Sequence, residues 1–313
     1  LHETRYEYGS AISLSQQQLH LSPRVLDWQQ VEEQRIDIDP PPTWRRDGQD
    51  AFGNPVTWIA FHAPHDELHI RSAMTIAIEP HLPVHLEKSL PWEEVHDRLA
   101  YDSSAPRPED LAAMRFLFES AHIRIKHELT DFAADCFPPG TPVLVGARAL
   151  MAKIFAELTF DPEATTVSTP VMEVLENKRG VCQDFAHLMI ACLRALGLAA
   201  RYVSGYLLTH PPPGKPRLIG ADASHAWVSV YAPGFPNEWV DFDPTNNLLP
   251  DTQHITVAIG RDFGDISPLR GVILGGGSAE PDVEVTVTPL DEEAPPGAVK
   301  LAEVPAESGA ADT

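Results

Sequence analysis

Gly180-Val181-Cys182-Gln183-Asp184-Phe185-Ala186-His187-Leu188-Met189-Ile190-Ala191-Cys192-Leu193-Arg194-Ala195-Leu196-Gly197 is the stretch from which the rest of this chain can be read. From Val181 to Leu196 it is apolar, and it then meets a glycine, so the spacing predicts a buried helix that opens at Cys182 and stops at Gly197. A thiol at that opening sits beside free backbone N–H groups and the positive end of the helix dipole, both of which favour thiolate over thiol. Gly180 has no side chain to obstruct an acyl group approaching the sulfur. Cys192 lies mid-helix among Ile190, Ala191, Leu193 and Leu196, the setting of an inert core cysteine. Cys136, before Phe137-Pro138-Pro139, has no base nearby in sequence. Position therefore singles out Cys182 as the candidate nucleophile.

Downstream, segments 201–208, 225–231 and 238–243 are short, β-branched and aromatic, as strands should be. The second begins His225-Ala226-Trp227, and a histidine at the start of an alternating strand can project beside the cysteine helix as its base. The third ends at Asp243, where Pro244 stops the ladder and lets a carboxylate turn inward to orient the imidazole and stabilise the imidazolium. Asp241 has the same face by period two and competes for that role. His187 is five residues from Cys182, about 140° around the helix, and makes a poor intrahelical partner. Asp184 is expected to support the helix N-terminus by its charge. Trp227 and Trp239 are candidates for cleft walls, with at least one of them expected in the core.

Upstream, Thr141-Pro142 and Thr169-Pro170 read as helix starts with a capping residue before a proline, and a further helix is expected over 109–119, just after Pro108. Val143, Ala147, Leu150, Ile154 and Leu158 share one helical face. The first eighty or so residues instead alternate with period two between Pro/Gly/Asn turns, which suggests a β-sandwich-like module. The expected class is α+β: a β-rich N-terminal domain over 1–89, a linker over 90–108, a catalytic core of helices and antiparallel strands over 109–289, and an acidic disordered tail over 290–313. Val283, Val285 and Val287 are expected to add one edge strand near its end, and Gly275-Gly276-Gly277 to form a turn.

Length and charge narrow the function. The chain has 313 residues, with 23 lysines and arginines against 45 aspartates and glutamates, a formal net charge of −22. Such acidity argues against nucleic acid or an anionic membrane surface as partner. No run reaches the roughly 18 consecutive apolar residues of a membrane span. The first residues lack the basic-then-apolar pattern of a signal peptide, so a cytoplasmic location is expected. Three cysteines make neither a disulfide framework nor a C-x-x-C site, and no H-E-x-x-H or EF-hand pattern occurs, so neither cofactor nor metal is expected.

Taken together, Thr169-Pro170, Gly180-Val181-Cys182-Gln183-Asp184-Phe185, Leu193-Arg194-Ala195-Leu196-Gly197, Arg201 to Tyr206, His225-Ala226-Trp227, Asp241-Phe242-Asp243-Pro244-Thr245-Asn246-Asn247 and the run from Gly260 to Val272 strongly resemble the core of bacterial transglutaminase-like proteins. Thr4-Arg5-Tyr6-Glu7-Tyr8 and Asp50-Ala51-Phe52-Gly53-Asn54 are similar to the β-rich domain that accompanies that core. The resemblance implies a papain-like fold, a triad of Cys182, His225 and Asp243, and acyl chemistry on amide bonds. The expected function is a cysteine-dependent hydrolase that cleaves peptide or Gln-type amide bonds of a peptide or protein substrate through a thioester. The Cys182 backbone N–H is the expected oxyanion donor. The alternatives are amine transfer to the same thioester and a non-catalytic peptide-binding scaffold.

Overall fold

The computed structural model describes residues 1–80, 84–100, 106–209, 224–277 and 281–290. In chain order these form β1 (His2–Leu19), β2 (Gln29–Asp39), β3 (Trp44–Gln49), β4 (Pro55–Phe61), β5 (His65–Ile78), α1 (Trp92–Leu99), α2 (Pro108–Met114), α3 (His127–Ala133), α4 (Val143–Glu157), β6 (Thr159–Phe160), α5 (Val171–Asn177), β7 (Arg179–Gly180), α6 (Cys182–Ala195), β8 (Ala200–Leu207), β9 (Ser224–Tyr231), β10 (Trp239–Phe242), β11 (His254–Gly260), β12 (Leu269–Gly275) and β13 (Asp282–Val285). The chain is α+β, with a β-rich N-terminal region and a core of helices packed on an antiparallel sheet.

The long strand β1 organises the N-terminal region. Its first residues pair with β5 and β13, whereas residues 15–19 pair with β4 and β12. Register shifts between Glu7 and Ile12 and between Ile12 and Leu14 mark where it changes partners, and such irregularities let one strand turn a corner between two layers. Tyr8, Ile12 and Leu19 of β1 meet Ile36, Ile59, Phe61, Leu68 and Ile70 in a single apolar cluster inside that fold-over.

Two boundaries differ from the sequence reading. The segment from Leu269 to Val285, expected within the core over 109–289, returns to the N-terminal sheet and fills the second hydrogen-bonding edge of β1. The physical reason is that a central strand needs partners for both rows of its backbone groups, and β4 and β5 supply only one. The stretch 90–108 is more than a linker, because α1 buries Val95 and Leu99 in the core. Trp92, Val95 and Leu99 stand at i, i+3 and i+7 among charged residues, a helical face only two turns long and so too short to read as sustained periodicity. Of the acidic segment 290–313 expected to be disordered, only Leu290 belongs to the described residues.

In the core, α6 lies against the sheet of order β10-β9-β8-β11 and is flanked by α3, α4 and α5. Every residue from Gln183 to Arg194 is buried, which explains the near-continuous apolar sequence. Arg194 is accommodated because its guanidinium donates to the carbonyls of Phe118, Ala200 and Arg261. Gly197 closes the helix at φ +73, a conformation that glycine adopts without strain. Val143, Ala147, Leu150, Ile154 and Leu158 are all buried, as their spacing implies. Pro142 and Pro170 stand one position earlier than expected, as extended N-cap residues with no side-chain cap. Among the described residues no helix is long and apolar enough to cross a membrane.

Candidate active site

Cys182 is the first residue of α6 and is half-buried, whereas Cys136 and Cys192 are buried. Burial pushes the Cys136 thiol up to about 11 and the Cys192 thiol further still. The helix start is built by Asp184, whose buried carboxylate accepts from the Val181 N–H at 2.8 Å and from the Thr165 hydroxyl at 2.6 Å. Burial pushes the Asp184 carboxyl up, and those two hydrogen bonds oppose the rise. This side chain also explains Gly180, since a Cβ there would lie 2.5 Å from the Asp184 Oδ2. Gly180 therefore makes room for the carboxylate that caps the helix, an inward role that the sequence reading had directed outward to an acyl group. Asp184 and Phe185 both donate to the Val181 carbonyl, so the N–H groups of Cys182 and Gln183 are left without a protein acceptor among the described residues.

His225, the second residue of β9, is 8% exposed; its ring hydrogen-bonds Asp243 and interacts electrostatically with Cys182. Its Nε2 lies 2.8 Å from the Asp243 Oδ2, which leaves Nδ1 for the thiol. Burial works against a charged imidazole here, but the Asp243 carboxylate and Cys182 outweigh it and raise His225 to about 10. Asp243 is fully buried, yet hydrogen bonds from His225 and His254 hold its carboxyl well below the usual range. Its Oδ1 accepts the N–H groups of Thr245 and Asn246 at 2.9 and 3.2 Å. Its Oδ2 accepts from the Asn246 amide at 2.7 Å, besides the two imidazoles.

Register separates the two aspartates that sequence left in competition. Asp241 pairs with Ser229 and Phe242 with Val228 across β9 and β10. Each acid reaches the diagonal neighbour on β9. Asp241 thereby accepts the Trp227 indole N–H at 2.9 Å, and Asp243, two residues on, meets His225. Trp227 is fully buried, and Trp239 packs half-buried against the core. His187 makes no hydrogen bond to Cys182, His225 or Asp243. It is buried, its Nε2 accepts the Phe263 N–H at 3.2 Å, and burial pushes it down to about 3.

The sequence reading missed His254, at the start of β11, whose Nε2 lies 3.2 Å from the same Asp243 oxygen. A histidine opening an apolar alternating strand is the signal that singled out His225, and it was present here too. The ligand atoms of His225, Asp243 and His254 lie within 4.8 Å of one another, close enough to be offered to a metal. Every one of them is already engaged in hydrogen bonds centred on Asp243 Oδ2, which the Asn246 amide shares, so an ion would have to displace that network. Elsewhere, a groove of about 800 Å³ on the outer face of the N-terminal sheet is lined by Gln16, Gln18, Trp44, Trp58 and Arg270. It contains no thiol, so chemistry and not size locates the candidate site.

Residues 1–77 match the family model described as the bacterial transglutaminase-like N-terminal region, and residues 130–244 match the transglutaminase-like superfamily. An uncharacterized protein of Mycobacterium tuberculosis is 39% identical over 302 residues, covering 94% of this chain and 93% of that protein. A protein-glutamine gamma-glutamyltransferase of Pseudomonas aeruginosa is 29% identical over 138 residues, 39% of this chain and 20% of its own length. A solved structure from Cytophaga hutchinsonii, described as a proposed cysteine protease, superposes with a TM-score of 0.69 at 20% identity over 94% of this chain and 92% of that one. This last likeness bears on the fold alone.

Proposed function

Because this chain belongs to the transglutaminase-like superfamily, we propose that it is a cysteine-dependent hydrolase of peptide or Gln-type amide bonds, with Cys182 as nucleophile, His225 as base and Asp243 as the residue that orients the base. The observation that carries this reading is His225 itself, hydrogen-bonded to a fully buried carboxylate and interacting electrostatically with Cys182 at the start of α6. A buried imidazole oriented by a carboxylate and coupled to a thiol in this way is set to carry a proton from sulfur to a departing amine.

In the first half-reaction the thiol proton passes to His225 and the thiolate attacks the amide carbonyl. The Cys182 N–H, unoccupied at the start of α6, donates to the oxyanion that forms. His225 then protonates the amine as the C–N bond breaks, leaving a thioester and a neutral imidazole. In the second, His225 takes a proton from water, hydroxide adds to the thioester, and the carboxylic acid leaves as the thiol is restored. Asp243 stays ionised throughout, since its carboxyl is held well below the usual range.

Supplying a Gln-containing peptide with and without a labelled primary amine, and following both products by mass spectrometry, tests the assignment. Deamidated or cleaved peptide is expected to dominate, because no sequence motif here builds a second site for an amine substrate. Predominant amine incorporation at millimolar amine would replace hydrolysis by amine transfer while leaving the thioester chemistry in place. Activity surviving in purified Cys182→Ala protein would end the nucleophile assignment.

A further inference from the structure

We propose that His254 is a positioning residue of this site: together with His225 it clamps one oxygen of Asp243, and it keeps that carboxylate in place while His225 changes its protonation. The proposal rests on the reading of Cys182, His225 and Asp243 given above.

Asp243 is held in two ways. The turn that follows it supplies the Thr245 N–H and the Asn246 N–H and amide. From elsewhere in the chain come the two imidazoles, His225 of β9 and His254 of β11. Of these, the His225 contact changes during turnover, because the ring is positive when the thiolate exists and neutral once the amine has taken its proton. A charge-assisted hydrogen bond weakens when one partner loses its charge. At that moment His254 is the remaining imidazole that ties the Asp243 turn to the sheet.

The sheet is built to let the two rings meet. In the order β9-β8-β11, Gly205 of β8 faces His225 on one side and Thr256 on the other, with Leu207 facing His254 one step along. A Cβ on Gly205 would lie 1.9 Å from the Ile255 carbonyl oxygen and 2.7 Å from the Trp227 ring. Over that bare position the His254 ring meets the Trp227 ring edge-on at 5.2 Å and approaches His225 at 5.9 Å.

The chemistry of His254 also points to Asp243. The residue is 5% exposed, and its Nδ1 is buried without a hydrogen-bond partner among the described residues. Its Nε2 is therefore the donor, and its side-chain hydrogen bond goes to the Asp243 carboxylate. Burying a polar ring with one nitrogen unsatisfied costs stability that a leucine of similar volume would not. The charged and titratable groups facing this pair are His225 from β9, Cys182 from α6 through His225, and Asp241 of β10 beyond Trp227, with Arg201 of β8 next to Asp241.

The test compares His254→Leu, which fills the volume without a donor, with His254→Gln, whose terminal amide places a donor near the position of Nε2. Steady-state kinetics on a Gln-containing peptide and the pH profile of Cys182 alkylation by iodoacetamide are read together. His254→Leu is expected to lower kcat on the order of 10- to 100-fold with KM within about threefold, the size of effect that a misplaced catalytic group produces. The acid limb of the alkylation profile should move to higher pH, and His254→Gln should recover most of both. A merely structural histidine would lower Tm in both variants and leave the alkylation profile where it was, which overturns the proposal. Should His254→Leu fail to fold, His254→Asn, whose shorter amide falls short of Asp243, carries the same expectation. Wild-type Cys182 that alkylates no faster than Cys136 and Cys192 would instead refute the underlying triad, while fast wild-type alkylation unaltered in the His254 variants refutes this proposal alone.

Discussion

Replacing Asp243 by asparagine is the change that should separate orientation of His225 from every other contribution to the site. The carboxylate accepts at five points, three on Oδ2 and two on Oδ1. An amide has one accepting end, so its NH₂ must face either two backbone N–H groups or a cluster of side-chain donors, and neither orientation is satisfied. In one of them His225 must turn its bare nitrogen to the amide and its N–H toward the sulfur, the tautomer that cannot accept a proton from the thiol. The rise of His225 from 6.5 to about 10 corresponds, at about 1.4 kcal/mol per pH unit, to roughly 5 kcal/mol of net imidazolium stabilisation, left after burial has opposed what Asp243 and Cys182 supply. Losing the Asp243 share and the right tautomer should lower kcat on the order of 10³- to 10⁴-fold. Asp241→Asn should fall by only a few-fold, since an amide oxygen can still accept the Trp227 N–H. Steady-state assays of both variants on a peptide amide, at matched folded fraction by circular dichroism, make the comparison. A larger fall for Asp241→Asn would refute the assignment, and equal mild falls would transfer the role to Asn246, whose amide also lies 3.4 Å from His225 Nε2.

The same pair fixes the sign of a stability effect. Asp243 has a depressed folded pKa, so its contribution is present above the unfolded value of 3.8 and is lost as the pH falls toward its folded value. His225 has a raised one, so its contribution is present below 6.5 and is lost as the pH rises toward about 10. The Tm difference between wild type and Asp243→Asn should therefore be greatest between about pH 4 and 6.5 and narrow on both sides. A difference that grows steadily above pH 7 would contradict the ion pair.

Cys182→Ala should abolish turnover with Tm changed little, whereas Cys192→Ala should keep turnover and lose on the order of 1–2 kcal/mol to a small buried cavity, as chemical denaturation would show. Burial lowers His187 to about 3 and His2 to about 4, so the unfolded chain binds protons below 6.5 that the folded chain refuses. Stability should accordingly fall as the pH drops from 6.5 toward 4, and His187→Gln should flatten that slope in a thermal-shift series; an unchanged slope would exclude His187 as its source. Gly205→Ala drives a Cβ against a backbone carbonyl and should cost about 3 kcal/mol or more or prevent folding, so a variant with wild-type Tm would show that β8 and β11 are not apposed as described.

Sequence disclosed those parts of the molecule whose signal is local. The apolar run after Cys182, the glycine at 197 and the five residues on one face of α4 each announce a single element, and the structure contains all three. The candidate site was legible to the extent that each residue stands at an element boundary: Cys182 at a helix start, His225 near a strand start, Asp243 at a strand end. The preference for Asp243 over Asp241 came from Pro244 ending the strand and from the family resemblance; period two alone left both on one face, and the register against β9 is what places Asp243 beside the histidine. His254 escaped for a related reason: its place in the site depends on β8 lying between β9 and β11 with a glycine at the crossing. The return of β12 and β13 to β1 joins residues 250 or more positions apart in the chain, and nothing in either segment names the other.

The motif Asp50-Ala51-Phe52-Gly53-Asn54 gains a physical meaning that its sequence did not carry. β11 is the edge of the four-stranded core sheet, and its outward backbone groups would lack partners if the N-terminal region were merely appended. Instead the Asn54 amide gives and accepts one hydrogen bond each with Ile259, at 2.8 and 2.9 Å. The Gln29 amide does the same with Thr256, at 2.8 and 2.7 Å. Asp50 holds Asn54 in that orientation through its amide and backbone N–H, and it takes a further hydrogen bond from His20. Two side-chain amides thus stand in for a missing strand at the edge that begins with His254. On the same side, His2 of β1 hydrogen-bonds the Tyr206 hydroxyl of β8 at 2.9 Å. Contacts run without interruption from the N-terminal sheet through β11 to His254, Asp243 and His225, so the N-terminal region is part of the scaffold that positions the candidate base. A separate peptide-holding module would need no such amides aimed at the backbone of the other domain.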